Sequence, residues 1–255
     1  LATLTTRWHE AARGRGSVVL VQGAPGMGKS RLVHELAGPV RLVLTGHGTR
    51  NDGQPFAALR AALDTYVRGL RRLPPAETDA ALDALRAAAG ENAPLVGHLS
   101  PVLATGRGRQ VSEERHVAAV ADFLGELARR AGGALLHLDD AQWCDEATLR
   151  VLDRLAAGAG RTPLLVVVTV RDDEAGPLRE RLGEHLDTVL DLEPMDAAAV
   201  SALVTAMNGG LLVGADVAAR LTARSRGNPF TVLAHLQAII DAGLVEVGWD
   251  TWSVD

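Results

Sequence analysis

A single lysine, Lys29, occurs in a sequence of 255 residues in which lysine and arginine together number 26. It stands in Gly23-Ala24-Pro25-Gly26-Met27-Gly28-Lys29-Ser30, a G-x-x-x-x-G-K-S pattern. Such a loop, set between a strand and a helix, turns successive backbone N–H groups inward, and with the positive end of the helix dipole these hold a polyphosphate. Gly23, Gly26 and Gly28 permit the tight path. Lys29 is then expected to reach the β- and γ-phosphates, and the Ser30 hydroxyl to sit on the Mg²⁺ that bridges them.

A second group of reactive residues is Asp139-Asp140, which closes the apolar run Ala134-Leu135-Leu136-His137-Leu138. A buried strand ending in two acids places them at the carboxyl edge of a sheet, where open α/β folds bind ligands. Asp139 suits the Mg²⁺ shell, and Asp140 suits orienting or deprotonating an attacking water. The run 164–170 leads to Arg171 on the same edge, where it could sense a γ-phosphate or pair with Asp172 or Asp173. His137, inside an apolar strand, reads as a satisfied core histidine, and Cys144 has no nucleophile's partners in sequence and reads as inert.

These residues need a scaffold, and the hydrophobic pattern supplies one. Apolar β-rich runs at 17–22, 40–44, 134–138, 164–170 and 188–192 alternate with helical spacing, which predicts a doubly wound parallel sheet of the α/β class with helices on both faces. Residues 55–130 read as an inserted group of Ala- and Leu-rich helices broken at Pro74-Pro75, Gly90 and Pro101. After Pro194 only helices are expected, at 196–207, 215–224 and 229–242, with breaks at Asn208-Gly209-Gly210 and Gly227-Asn228. The alternation at 244–247 and 251–254 around Gly248-Trp249-Asp250 predicts a hairpin. The expected division is therefore 1–194 as the α/β domain, 195–243 as a helical lid, and 244–255 as a hairpin leading to a following domain. The first residue is Leu1, so the sequence reads as a segment of a longer protein.

Composition narrows the function classes. A net charge of −5 lacks the basic excess of a nucleic-acid-binding surface. A lone cysteine excludes an internal disulfide and a cysteine-based zinc cluster. No apolar stretch approaches the roughly 20 residues that cross a bilayer, so no membrane partner and a cytoplasmic location are expected.

Three segments resemble one known family. They are 23–32 followed by Val33-His34-Glu35-Leu36, the run Leu138-Asp139-Asp140-Ala141-Gln142-Trp143-Cys144-Asp145-Glu146-Ala147-Thr148-Leu149, and Gly227-Asn228-Pro229-Phe230. In this order they look like the STAND branch of P-loop ATPases, an AAA+-type group, and specifically the ATPase domain of large LuxR-type (MalT-like) bacterial transcriptional regulators. The resemblance implies a P-loop NTPase fold with a C-terminal helical lid, and a slow, Mg²⁺-dependent ATPase that acts as a regulatory switch between ATP and ADP. It also implies self-association or contact with further domains of the same protein, and DNA binding through a helix-turn-helix outside this chain. Carried over residue by residue, the nucleotide contacts are Gly23, Pro25, Gly26, Met27, Gly28, Lys29, Ser30 and Arg31, with Pro229 against the adenine. Lys29, Asp140 and Arg171 are the implied catalytic residues, and Ser30 and Asp139 the implied metal ligands. Trp143 reads as packing close to the site.

Other readings use the same loop. A module that holds nucleotide without hydrolysing it would share every residue named so far, as would the ATPase modules of some kinases and nucleotide cyclases. A phosphotransferase would need arginines on its lid, and Arg220, Arg224 and Arg226 are available. A transporter-type ATPase is disfavoured, since no LSGGQ-like segment precedes residue 134.

Overall fold

A computed structural model describes residues 1–38, 40–50, 53–104, 111–207, 212–242, 245–247 and 251–254, with the backbone alone at 212–213, 245–247 and 251–254. By its contacts the chain groups into two compact units. One comprises Leu1–Gln22 and Ser30–Leu190, the other Gly23–Lys29 and Asp191–Asp255.

In chain order the elements to the end of the sheet are α1 (Ala2–Ala11), β1 (Ser17–Gln22), α2 (Lys29–Ala37), β2 (Val43–His47), α3 (Ala57–Leu70), α4 (Pro75–Ala89), α5 (Ala93–Val96), α6 (Glu113–Ala131), β3 (Ala134–Asp139), α7 (Glu146–Gly158), β4 (Leu164–Val170), α8 (Ala175–Leu182) and β5 (Thr188–Asp191). The sheet order is β2-β3-β4-β1-β5. The pairs β2·β3, β3·β4 and β4·β1 are parallel. Every residue of β1, β3 and β4 is buried, as expected of parallel strands covered on both faces. The sheet is thus of the α/β class, with the parallel strands that the apolar runs predict.

Between β2 and β3 lie the helices α3, α4, α5 and α6. Helix α6 shows why they form: Glu113 and Glu114 lie in its first turn, Arg129 and Arg130 in its last, and Gly132 ends it at φ 71°. Its apolar stripe, from Val117 to Ala128, is buried in the main core.

Two expectations need correcting. The second strand runs Val43–His47 rather than 40–44. Hydrophobicity alone marks the first apolar residues, whereas pairing with β3 extends through Thr45, Gly46 and His47 to set His47 opposite Asp139. Gly46 makes this possible, because a Cβ there would lie 2.1 Å from the Ala58 carbonyl oxygen of α3. The region after Pro194 is also not purely helical before the hairpin. It contains α9 (Ala197–Met207), β6 (Leu212–Val213), α10 (Ala215–Ser225), α11 (Pro229–Asp241), β7 (Val245–Val247) and β8 (Thr251–Val254). Strands β7 and β8 pair antiparallel, as the hairpin requires, and β6 adds to β8 in parallel. A two-residue strand carries too short a pattern to read from sequence. The predicted break at 208–210 and the hairpin turn at 248–250 lie outside the described residues.

In the second unit, Val200, Val204, Val217, Leu221, Val232 and Leu236 form a small core between α9, α10 and α11. Helix α11 starts cleanly, with Asn228 as N-cap and Pro229 in its first turn, where the missing N–H costs nothing. Among the described residues no helix is long and apolar enough to cross a membrane.

Candidate functional site

The last residue of β3, Asp139, is 6% exposed. The Ser30 hydroxyl, one residue into α2, donates to its carboxylate and lies 2.9 and 2.8 Å from the two oxygens. The Thr169 hydroxyl of β4 donates to Oδ1 and also accepts the Asp140 N–H at 3.2 Å. Exposed His47 places Nδ1 at 3.3 Å from Oδ2. Burial raises the Asp139 pKa, but the hydrogen bonds from Thr169 and Ser30, with the nearby imidazoles, outweigh it and hold the carboxyl below its ordinary value. Asp139 is therefore ionised at neutral pH. A buried carboxylate with a serine hydroxyl on it is an all-oxygen donor set suited to a hard divalent cation that keeps waters and takes substrate phosphate oxygens as further ligands. Among the described residues no group of three His, Cys, Asp or Glu is placed to hold a metal by itself.

His137 is in the core, but it is not satisfied as expected. Its Nε2 is buried without a hydrogen-bond partner and sits 3.7 Å from Asp139 Oδ1. Burial pulls its pKa from 6.5 to about 4, against the pull of Asp139, so the ring is neutral at neutral pH and the contact is not an ion pair.

Asp140 follows at φ 50° and ψ 49°, a left-handed conformation that among non-glycine residues asparagine and aspartate adopt most readily and that is often found at functional positions. The turn at Ala141–Trp143 brings Gln142 back, and its Nε2 donates to Asp140 Oδ1 at 3.0 Å. Trp143 lies under the guanidinium of Arg50, whose Cζ is 3.8 Å from the ring centroid. Asp145 has a different task. It N-caps α7 and accepts four hydrogen bonds, from the backbone N–H groups of Phe56, Ala57 and Thr148 and from the Thr148 hydroxyl. Arg171 follows β4 at the same sheet edge, half-buried. Among the described residues its side chain forms no ion pair, with Asp172 and Asp173 included.

Cys144 is half-buried, and burial followed by the charge of Asp145 pushes its thiol up to about 12. The reactive thiolate is then scarce at pH 8. Iodoacetamide should leave Cys144 unmodified in the folded protein and alkylate it in urea, as intact mass would show; rapid labelling without denaturant would refute the inert reading.

The phosphate-type loop belongs to the second unit. Gly26 at φ 82° and Gly28 at φ 86° occupy backbone conformations that favour glycine. Lys29 is 8% exposed, and its ammonium donates to the carbonyl oxygens of Gly23 at 2.6 Å and Ala24 at 3.1 Å. The Met27 N–H closes the loop on Ala24 at 3.3 Å. Arg31, by contrast, is paired with Glu35 one turn along its own helix. From the Gly227-Asn228-Pro229-Phe230 segment, Asn228 Nδ2 donates to the Pro25 carbonyl at 2.8 Å and the Phe230 N–H to the Gly26 carbonyl at 3.2 Å. Pro229 itself is half-buried, and the Phe230 side chain is 69% exposed.

The structure brings Ser30, Asp139 and Asp140 into one hydrogen-bonded group through Thr169. The sequence reading misses His47, Thr169 as a carboxylate partner, Gln142 as the holder of Asp140, and Asn228. Gln142 and Asn228 were visible inside the quoted segments, whereas His47 lies beyond the apolar run that marked its strand.

Known proteins share this arrangement of elements. The structure is similar to Cdc6p from Pyrobaculum aerophilum, with TM-score 0.55, 16% identity and coverage of 95% of this chain and 60% of that one. It is similar to the ORC2 protein of Aeropyrum pernix, with TM-score 0.54, 12% identity and coverage of 95% and 62%. It also resembles the RuvB Holliday junction branch migration motor of Thermotoga maritima, with TM-score 0.50, 18% identity and coverage of 94% and 60%. At these identities the likeness concerns the fold. An uncharacterized protein of Rhizobium meliloti is 28% identical over 214 residues, which make up 77% of this chain and 20% of that protein, so the chain spans about a fifth of its relative's length. Residues 1–167 match the family model described as the AAA ATPase domain, and the chain belongs to that family.

Proposed function

We propose that the chain is a Mg²⁺-dependent ATP-binding and slowly hydrolysing switch domain in a multidomain signalling protein, on the pattern of large LuxR-type (MalT-like) transcriptional regulators. The observation that carries this reading is the buried, ionised Asp139 with the hydroxyls of Ser30 and Thr169 on its carboxylate. The ORC2 protein of similar fold was solved in ADPNP and ADP complexes, which favours the same ligand class here.

In this reading the loop N–H groups and Lys29 bind the phosphates, and Ser30 and Asp139 would hold Mg²⁺. The ion would neutralise phosphate charge. Asp140, held by Gln142, orients the attacking water and accepts its proton. Arg171 is assigned to the γ-phosphate and Pro229 to the base. Residues 195–243 act as the lid, 244–255 lead to a following domain, and contact with DNA belongs to a domain outside the chain. With no arginine finger assigned, turnover should fall well below the roughly 10 per second typical of enzymes.

Asp140→Asn separates this reading from a nucleotide-holding module. Loss of a positioned base should slow single-turnover hydrolysis by about a hundredfold, with the Mg-ATP dissociation constant within about twofold of wild type. A wild-type protein that binds ATP and never releases phosphate would instead establish the holding module.

A further inference from the structure

Asn228 uses its two amide atoms for two purposes. Its Nδ2 donates to the Pro25 carbonyl at 2.8 Å, and its Oδ1 accepts the Thr231 N–H at 3.3 Å as the cap of α11. A carbonyl can only accept and a backbone N–H can only donate, so these partners fix the amide's orientation. One residue pair further, the otherwise unpaired N–H of Phe230, in the first turn of α11, donates to the Gly26 carbonyl at 3.2 Å. Two consecutive carbonyls of the phosphate-type loop are thereby held by one helix start.

Among the described residues the peptides are trans, and in a trans peptide the carbonyl and the following N–H point in opposite directions. Fixing the Pro25 carbonyl on Asn228 therefore aims the Gly26 N–H to the opposite side of the loop. Oriented N–H groups of this kind are what make an anion-binding concavity. The contact leaves no slack, because a Cβ at Gly26 would lie 2.8 Å from Asn228 Oδ1 and 2.9 Å from Phe230 Cβ. The helix start is itself anchored. Gly227, at φ 70°, accepts the Met195 N–H at 2.8 Å, donates to Thr222 at 3.1 Å, and would place a Cβ 2.3 Å from the Met195 carbonyl oxygen.

We infer that Asn228 is a positioning residue that sets the phosphate loop for binding and ties its conformation to the C-terminal helices. This inference rests on the nucleotide-binding reading above. It also assigns the two effects to separate atoms: phosphate affinity to Nδ2 and helix stability to Oδ1.

Asn228→Asp tests the separation, since aspartate caps a helix as well as asparagine does but turns an acceptor toward the Pro25 carbonyl. Asn228→Ser keeps a cap and, being shorter, gives up the second arm. Both variants should keep the wild-type thermal midpoint and weaken binding of Mg²⁺-free ADP by about three- to tenfold, whereas Asn228→Ala should lose affinity and midpoint together. Hydrogen exchange gives a second readout: ADP should slow the amides of residues 230–232 in wild type and fail to do so in Asn228→Asp at saturating ADP. Wild-type affinity and an unchanged exchange response in the aspartate and serine variants would overturn the inference while leaving nucleotide binding intact. Absence of ADP binding by the wild-type chain would overturn both.

Discussion

Replacing Lys29 with alanine lowers affinity for ATP and ADP by at least about tenfold, since a charge-assisted hydrogen bond to phosphate contributes roughly 1.5–3 kcal/mol. The structure gives this expectation a mechanical form. The Lys29 ammonium is buried and donates to the carbonyl oxygens of Gly23 and Ala24, so it ties the ends of its own loop together. To reach a phosphate it must exchange those carbonyls for phosphate oxygens, which are the stronger acceptors because they are charged. Alanine removes the tie and the phosphate partner at once. Arginine would keep the charge, but its planar fork does not reproduce a point-like ammonium in a pocket this tight. Because Lys29 is the only lysine in the sequence, reductive ¹³C-methylation labels one side chain besides the amino terminus, and its resonance should move when ADP is added. Titration calorimetry on wild type and Lys29→Ala measures the affinity difference. Equal dissociation constants would remove the phosphate-loop assignment, and with it the roles given to Ser30 and Asp139.

How much of this was legible in the sequence depended on whether a feature is local. Strands β1 and β4 match their apolar runs residue for residue, because a parallel strand buried on both faces has no polar side to interrupt the pattern. Strand β2 does not, because its extent follows its pairing with β3, a partner more than ninety residues away in sequence (Val43 pairs with Leu135) that hydrophobicity does not reveal. His47 was lost with that register. His137 was correctly placed in the core, yet whether a buried ring finds a partner depends on neighbours from other strands, and here Nε2 finds none. The Gly227-Asn228-Pro229-Phe230 segment was legible as a motif. The hydrogen bonds it sends to the loop come from an amide side chain and a backbone N–H, and a backbone N–H carries no residue-type signal.

The run from Asp139 to Asp145 reads in sequence as one chemical unit, but its acids divide between chemistry and architecture, and Asp145→Ala should show the division as a large loss of stability. One carboxylate accepts the N–H groups of Phe56 at 2.9 Å and Ala57 at 3.0 Å at the start of α3, and the N–H and hydroxyl of Thr148 at 2.9 and 2.7 Å at the start of α7. Phe56 stands at φ 61° and supplies no side-chain cap of its own, so α3 depends on an acid donated from elsewhere. The positive ends of both helix dipoles meet this one negative charge. Alanine removes two caps, each worth about 1 kcal/mol, and leaves the Thr148 hydroxyl, at 0% exposure, without its partner, for a further loss of about 1 kcal/mol or more. A total near 3 kcal/mol corresponds to a fall in midpoint of roughly 6–12 °C at this chain length. Asp145→Asn keeps one acceptor oxygen but sets an NH₂ group against backbone donors, and it should fall between wild type and alanine. Differential scanning calorimetry gives the order, and hydrolysis per folded molecule in Asp145→Asn should stay near wild type while Asp140→Asn shows the reverse pattern. An alanine variant with an unshifted midpoint would mean that the two helix starts hold without their shared acid.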